Sequence, residues 1–129
     1  MSRRAQDKRQ HPRYPLHWQV AVVYDHVEER TTFHGVTHEI SVSGLSLLTD
    51  HNIFTEDPVT LLLAIPPLHH GQRKKIVEVR ANMAYTVHAA GHDKFRIGLH
   101  FKRFKDDGRA FLERNLKERA VITTNADVD

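Results

Sequence analysis

The chain has 129 residues, of which 40% are hydrophobic and 27% charged, a composition typical of one soluble domain with a buried core. It contains no cysteine, which excludes disulfides, thiolate catalysis and cysteine-ligated zinc. It also has no apolar run near the ~18 residues of a membrane helix and no signal-like start, so a cytoplasmic location is predicted. The net charge is +3, but residues 1–15 alone carry +4 and the remainder −1, which argues against a protein-wide basic surface for duplex DNA.

Residues 1–15 form a basic arm in which Pro12 and Pro15 oppose regular structure. The stretch "KRQHPRYP" places Arg9 and Arg13 four residues apart, but the first proline keeps its neighbour away from helical angles, so they are not a helix face. Extended, their backbone positions lie up to ~13 Å apart, and a turn brings them closer. Two guanidinium groups can thus grip one ligand with several anionic groups, through bidentate bonds to phosphate or guanine. A solvated basic tail is the alternative interpretation.

Six segments after the arm are predicted to be strands, because they are rich in β-formers or alternate apolar and polar residues between turn signals. In chain order they are Trp18–Tyr24, Thr31–Ser41, Leu45–Thr49, Pro58–Pro66, Lys74–Ala89 and Lys94–Phe104.

The apolar period changes after the sixth strand. Either Asp106 or Asp107 can cap a helix, and an apolar stripe follows at Phe111, Leu112, Leu116 and Ala120. The whole pattern predicts a mostly β fold: a six-stranded antiparallel β-barrel with a C-terminal α-helix covering one end. The predicted boundaries are residues 1–15 for a flexible arm, 16–120 for barrel plus helix and 121–129 for a disordered tail.

The stretch "EISVSG" lies at the predicted turn between the second and third strands. Alternation places Thr37, Glu39 and Ser41 on one face and Ile40 on the other. A carboxylate can accept the N1–H and the exocyclic amine of guanine, and Gly44 permits a positive φ or the close approach of a ligand to the backbone. The alternative is plain turn chemistry, with the serines and glycine shaping a hairpin and the glutamate solvated.

In their order and spacing, "RQHPR" and "EISVSG" are similar to the R-x-x-x-R and [D/N]-x-S-x-x-G motifs of the PilZ domain family, which the chain resembles from about Lys8 to about Ala120. "FRIGLHFKRF" resembles that family's last barrel strand, and "GRAFLERNL" the helix after it. The resemblance implies a bacterial receptor domain for cyclic di-GMP, a second messenger with two guanines and two phosphates. Ordering of the arm on this ligand would then signal to a partner protein.

The resemblance also implies which residues bind the nucleotide. The arginines of the first motif would grip guanine and phosphate, and the serine and glycine of the second would line the barrel beneath the ligand. Glu39 stands where the family has aspartate or asparagine, so it keeps an acceptor but adds one methylene, ~1.5 Å of reach. Lys8 could add a phosphate contact, and Tyr85 could offer a stacking surface, although it is equally interpretable as a core residue. The implied ligand-binding set is therefore Lys8, Arg9, Arg13, Glu39, Ser41, Gly44 and Tyr85.

Two other binding functions are compared with this one. A PilZ-like module that has lost nucleotide binding and acts through a partner protein has the same fold. A barrel that binds single-stranded nucleic acid would need exposed aromatic residues on a basic sheet face. The ten aromatic residues here lie mostly at alternating, core-like positions, so neither DNA nor RNA is expected as a partner.

Catalysis and metal binding find little support in the sequence. The G-x-S-x-G, G-x-x-x-x-G-K-[ST] and G-x-G-x-x-G motifs are absent. His38 is predicted on the opposite strand face from Glu39 and Ser41, which prevents a proton relay among them. The eleven histidines lack the spacing that brings three or four zinc ligands together. We therefore expect no enzymatic activity, no cofactor and no metal.

Overall fold

A computed structural model describes residues 11–25, 30–91 and 93–128 of the chain. Its elements are β1 (Gln19–Asp25), β2 (Arg30–Ile40), β3 (Gly44–Thr49), β4 (Val59–Ile65), β5 (Lys75–Ala89), β6 (Lys94–Phe104) and the helix α1 (Gly108–Val128). The predicted fold class is confirmed, and every predicted strand agrees with the observed one to within one residue at each end. The alternation of polar and apolar residues is therefore a sufficient signal for these strands.

The six strands form a closed antiparallel barrel in the order β1–β2–β3–β6–β5–β4, with β4 paired to β1. Side chains of a strand point alternately inward and outward, and buried and half-buried residues alternate without interruption along β4. The largest fully buried strand side chains include Leu47, Leu61, Leu63, Ile65 and Ile97. Burying one such side chain contributes about 1.5–3 kcal/mol, so this core supports the outer surface on which the polar residues lie.

Helix α1 covers one end of the barrel and inserts its apolar stripe into the core. Leu112 and Leu116 are 0% and 2% exposed, as the predicted spacing requires. Arg119 fixes the helix to the barrel, because its guanidinium lies 5.1 Å from the centroid of the Trp18 ring and donates to the carbonyl oxygen of Pro66 at 2.6 Å. Desolvation disfavours the charged form of Arg119 and lowers its pKa. The helix is thus tied to the residues flanking both β1 and β4.

The helix extends further than the sequence predicted. It runs to Val128, whereas a disordered tail was expected over residues 121–129, of which residue 129 lies outside the described range. No glycine or proline follows Ala120, so the backbone meets no strong helix breaker there.

Strand β2 departs from regular alternation at its end. Its register with β3 shifts between Thr37 and Glu39, the signature of a β-bulge. Thr37 and Ile40 are 0% and 1% exposed, whereas the Glu39 side chain is 40% exposed. The predicted faces are therefore wrong beyond Thr37: one extra residue exchanges the two faces, so Ile40 enters the core and Glu39 points outward.

Candidate functional site

A small cleft on the outer surface of the barrel brings most of the predicted site residues together. Its volume is about 110 Å³, and it is bounded by the end of the arm, the β2–β3 turn and the facing parts of β5 and β6. Five predicted residues line it: Arg13, Glu39, Ser41, Gly44 and Tyr85. The other two, Lys8 and Arg9, lie outside the described residues.

The end of the arm is attached to β2 by backbone hydrogen bonds. The amide of Tyr14 donates to the carbonyl of Ile40 at 2.8 Å, and the amide of Ile40 donates back at 2.9 Å. Further along, the fully buried hydroxyl of Thr37 accepts from the Trp18 amide at 2.7 Å and donates to the carbonyl of Leu16. The sequence predicted no regular structure through residue 15, but Tyr14 pairs as a single β-bridge because it retains the N–H that the flanking prolines lack.

Arg13 and Glu39 form an ion pair at the rim of the cleft. Their Nη1 and Oε1 atoms are 3.9 Å apart, and their side chains are 50% and 40% exposed. This distance is too long for a hydrogen bond, and an exposed pair of this kind contributes only ~0–1 kcal/mol. An incoming anion or hydrogen-bond donor can therefore replace either partner at small cost.

The β2–β3 turn is shaped by the serine and the glycine of the second motif. The Oγ atom of Ser41, a residue 4% exposed, lies 3.0 Å from the Ser43 Oγ and accepts from the Ser43 amide at 3.1 Å. A Cβ atom at Gly44 would clash with the carbonyl oxygen of Leu99 on β6. Positive φ among the described glycines occurs at Gly71 and Gly91, so Gly44 is required by the approach of a neighbouring strand, a reason the sequence did not reveal.

A row of four residues crosses the floor of the cleft from β2 to β5. Glu39 is opposite Ser46, which is opposite Gly98, which is opposite Tyr85. The Tyr85 ring lies directly over Gly98, because a Cβ atom there would overlap three of its ring carbons. Tyr85 is 40% exposed, so it is a surface residue and the core interpretation is wrong. An aromatic surface thus lies about three strand spacings, ~14 Å, from a carboxylate.

The cleft is also lined by residues that the sequence did not predict as site residues, among them Ser46, Gly98 and His100. Ser46 is 8% exposed, and its Oγ has no hydrogen-bond partner within the described residues. An isolated glycine inside an alternating strand was a usable signal for Gly98, since such glycines mark close approaches. No signal in the sequence specifies the pairing with Tyr85, which depends on the β5–β6 register.

Replacing Gly98 by alanine is expected to displace the Tyr85 ring while leaving the fold intact. The Tyr85 ring is 40% exposed, so it can move toward solvent when a Cβ atom is added at Gly98. A Cβ atom at Gly44 would instead meet the backbone carbonyl of Leu99, so Gly44→Ala should lower the free energy of unfolding by about 1–3 kcal/mol. Urea unfolding and a crystal structure of each variant measure both effects. A Gly98→Ala variant less stable than Gly44→Ala, or one with an unmoved ring, would contradict this assignment. Truncating the ring as well, in Gly98→Ala/Tyr85→Ala, should remove the overlap.

Within the three described segments, the histidines and acidic residues form no group of three that is arranged to hold a metal ion. In the same segments no helix is both long and apolar enough to cross a membrane.

Comparison with known protein families finds a match over most of the chain. The model of the PilZ domain matches residues 7–118. Comparison with curated protein sequences finds no match.

Solved structures share the fold at low sequence identity. The inhibitor of motility MotI/DgrA from Bacillus subtilis superposes with a TM-score of 0.72 at 16% identity, covering 89% of this chain and 52% of its own. The MrkH–c-di-GMP complex of K. pneumonia superposes with a TM-score of 0.62 at 14% identity, covering 93% of this chain and 56% of the MrkH chain. The PilZ domain of YcgR from Escherichia coli, solved with c-di-GMP, gives 0.55 at 12% identity, covering 92% and 98%. The chain spans about half the length of the first two.

Proposed function

The chain belongs to the PilZ domain family, and on that premise we propose that it is a receptor domain for cyclic di-GMP. The observation that carries the proposal is the meeting of Arg13, Glu39, Ser41, Gly44 and Tyr85 in one surface cleft at the end of the arm. Two structures with the same fold, MrkH and the PilZ domain of YcgR, are complexes with this nucleotide, which adds support.

Each end of the cleft suits a different part of the nucleotide. The guanidinium of Arg13 can bind a phosphate or the O6/N7 edge of guanine in bidentate fashion. The exposed ring of Tyr85 offers a stacking surface for a base, and stacking on an aromatic side chain is worth ~1–3 kcal/mol per base. The carboxylate of Glu39 can accept from the base edge. The arm would supply Lys8 and Arg9 as further cationic contacts.

Ligand binding would reorganise the rim of the cleft. A phosphate or base edge that binds Arg13 competes with Glu39 for the guanidinium. The Arg13–Glu39 ion pair at 3.9 Å is then replaced by stronger charge-assisted hydrogen bonds between Arg13 and the ligand. Ordering the arm that precedes the Tyr14 bridge costs conformational entropy, which these bonds must exceed. The ordered arm is the signal that a partner protein detects, so the domain acts as a binding switch and performs no catalysis.

Isothermal titration calorimetry of the full chain with cyclic di-GMP tests the proposal. We expect saturable, micromolar binding, with much weaker binding of cyclic di-AMP because adenine presents an amine where guanine presents O6. Absence of heat at high nucleotide concentration would overturn the proposal and favour the PilZ-like module that acts through a partner protein without the nucleotide. Oligonucleotide binding with a steep salt dependence would instead favour the single-strand barrel.

Replacing Glu39 by aspartate is expected to tighten cyclic di-GMP binding or leave it unchanged. Aspartate is one methylene shorter, so it withdraws from Arg13 and competes less with the ligand for that guanidinium. It also loses less side-chain freedom on binding. Calorimetry at one pH and salt concentration measures the change.

Glu78→Asp is the matched control, because Glu78 forms an ion pair of the same 3.9 Å length with Lys105 outside the cleft. It should leave the affinity unchanged. A large loss of affinity in Glu39→Asp alone would show that this chain contacts the base through the longer side chain.

A further inference from the structure

A larger groove lies away from the cleft, between the β4–β5 connection and helix α1. Its volume is about 670 Å³, and it extends from Ile65 through Ile76 on one side and from Phe111 through Glu118 on the other. Ile76 and Tyr85 are both on β5, and nine residues of strand span ~30 Å, so the groove is separate from the nucleotide cleft. We call this surface the basic groove.

The lining of the basic groove carries a net positive charge, although one of its cations, Lys75, pairs with Asp107 at 3.7 Å. Its lining contains four cations, Arg73, Lys74, Lys75 and Arg114, and one carboxylate, Glu118. Everything after the arm sums to −1, so this cluster departs from the charge balance of the rest of the domain. Cations that line a concave surface reinforce one another's potential and attract anionic groups.

The lining of the basic groove also includes apolar residues, among them Ile76 and Phe111. Ile76 lies at the start of β5 and is 52% exposed, so a large aliphatic side chain faces solvent among the cations. In the same groove, the Phe111 ring has the Nζ of Lys75 5.1 Å and the guanidinium carbon of Arg114 5.9 Å from its centroid. Cations therefore border an apolar surface, and a ligand there meets both.

The wall of the basic groove is held in place. Pro66 and Pro67 have no amide hydrogen and fixed φ angles, and the bond from Arg119 to the Pro66 carbonyl ties this wall to the helix. A preformed groove loses little entropy when it is occupied.

We propose that the basic groove docks an acidic segment of a partner protein, with a bulky apolar residue of that segment seated on Ile76 and Phe111. Charge complementarity selects carboxylates, and the exposed isoleucine selects an aliphatic or aromatic side chain between them. A single-stranded nucleic acid would stack its bases on free aromatic faces, but Phe111 is already flanked by two cations. A lipid surface would require a convex or flat patch. The groove provides the partner contact that the proposed function needs, but its occupancy requires no nucleotide.

Fluorescence anisotropy of the full chain tests this docking with a labelled peptide, Glu-Glu-Leu-Glu-Phe-Glu-Glu. We expect saturable binding that weakens at least tenfold in Arg73→Glu/Lys74→Glu. The matched control is Lys102→Glu/Arg103→Glu, which changes the charge equally at exposed β6 positions outside the groove and should keep the affinity within twofold. Because no cyclic di-GMP is present in this assay, absence of peptide binding leaves the proposed receptor function intact. Absence of nucleotide binding in the calorimetry likewise leaves the docking proposal intact.

Several outcomes would overturn the docking proposal. They are no saturable binding, equal weakening by the control variant, or equally tight binding of a heptaglutamate peptide, which lacks the apolar residues. Binding of oligothymidylate or anionic phospholipid vesicles that is lost in Arg73→Glu/Lys74→Glu, without peptide binding, would assign the groove to those ligands. Conversely, binding of the basic peptide Lys-Lys-Leu-Lys-Phe-Lys-Lys by Arg73→Glu/Lys74→Glu, but not by the native chain, would support the docking proposal, because the reversed charges then attract each other.

Discussion

Replacing Arg13 by alanine is expected to weaken cyclic di-GMP binding by about a hundredfold or more. A guanidinium forms two charge-assisted hydrogen bonds to a phosphate or a guanine edge, and bonds to charged groups are worth ~1.5–3 kcal/mol each. The fold should be unaffected, because the side chain is 50% exposed and its pair with Glu39 at 3.9 Å adds little stability. Calorimetry and urea unfolding of the variant measure the two effects separately.

Two further variants sharpen the Arg13 result. Arg13→Lys keeps the charge but loses the planar fork of donors, so an intermediate affinity is expected. Arg103→Ala removes an exposed arginine on β6 outside the cleft and should bind as the native chain does. An unchanged affinity in Arg13→Ala would show that the nucleotide, if bound, does not contact the cleft at this arginine.

Thr37→Val is expected to lower the free energy of unfolding by about 3 kcal/mol and to loosen the arm. Valine preserves the shape of the side chain but removes both hydrogen bonds of the Thr37 hydroxyl, to the Trp18 amide and the Leu16 carbonyl. Thr37 is fully buried, and each buried polar group left unpaired costs ~1–3 kcal/mol. Urea unfolding measures the stability, and hydrogen exchange of the Trp18 amide measures the attachment of the arm.

The control for Thr37 is another threonine of the same strand. Thr32 is exposed, so Thr32→Val removes a hydroxyl that water already solvates and should change stability by less than ~0.5 kcal/mol. If Thr37→Val changed stability no more than Thr32→Val, the hydroxyl would not be the anchor of the arm. Because Arg13 is presented by the segment that this hydroxyl holds, we also expect weaker nucleotide binding in Thr37→Val.

Strand positions could be predicted from the sequence because they depend on local alternation. The bounds of β6, Lys94–Phe104, were predicted without error, and β4 is recognisable from its prolines and apolar run. The pairing between strands was not predictable, because register depends on residues far apart in the chain. The bulge that turns Glu39 outward is set by the pairing of β2 with β3, and no local residue type marks it.

The same distinction applies to the cleft. Motif spacing identified the glutamate, serine and glycine of the β2–β3 turn, but the reason for Gly44 lies in the Leu99 carbonyl of another strand. Thr37 resembles any strand threonine in the sequence, and only its buried position gives it a role. Tyr85 is assigned to the surface by its 40% exposure, and its position over Gly98 depends on the β5–β6 register, which no local residue type specifies.

The contact between Arg119 and Trp18 gives the molecule an optical reporter of its own. Trp18 is the single tryptophan of the chain, is 4% exposed, and lies where the arm enters the barrel, beneath a guanidinium that also bonds the wall of the basic groove. Indole emission is sensitive to nearby charge and to water. Events in the arm, in the helix or at the groove therefore converge on one chromophore, and unlabelled protein suffices to follow them by fluorescence.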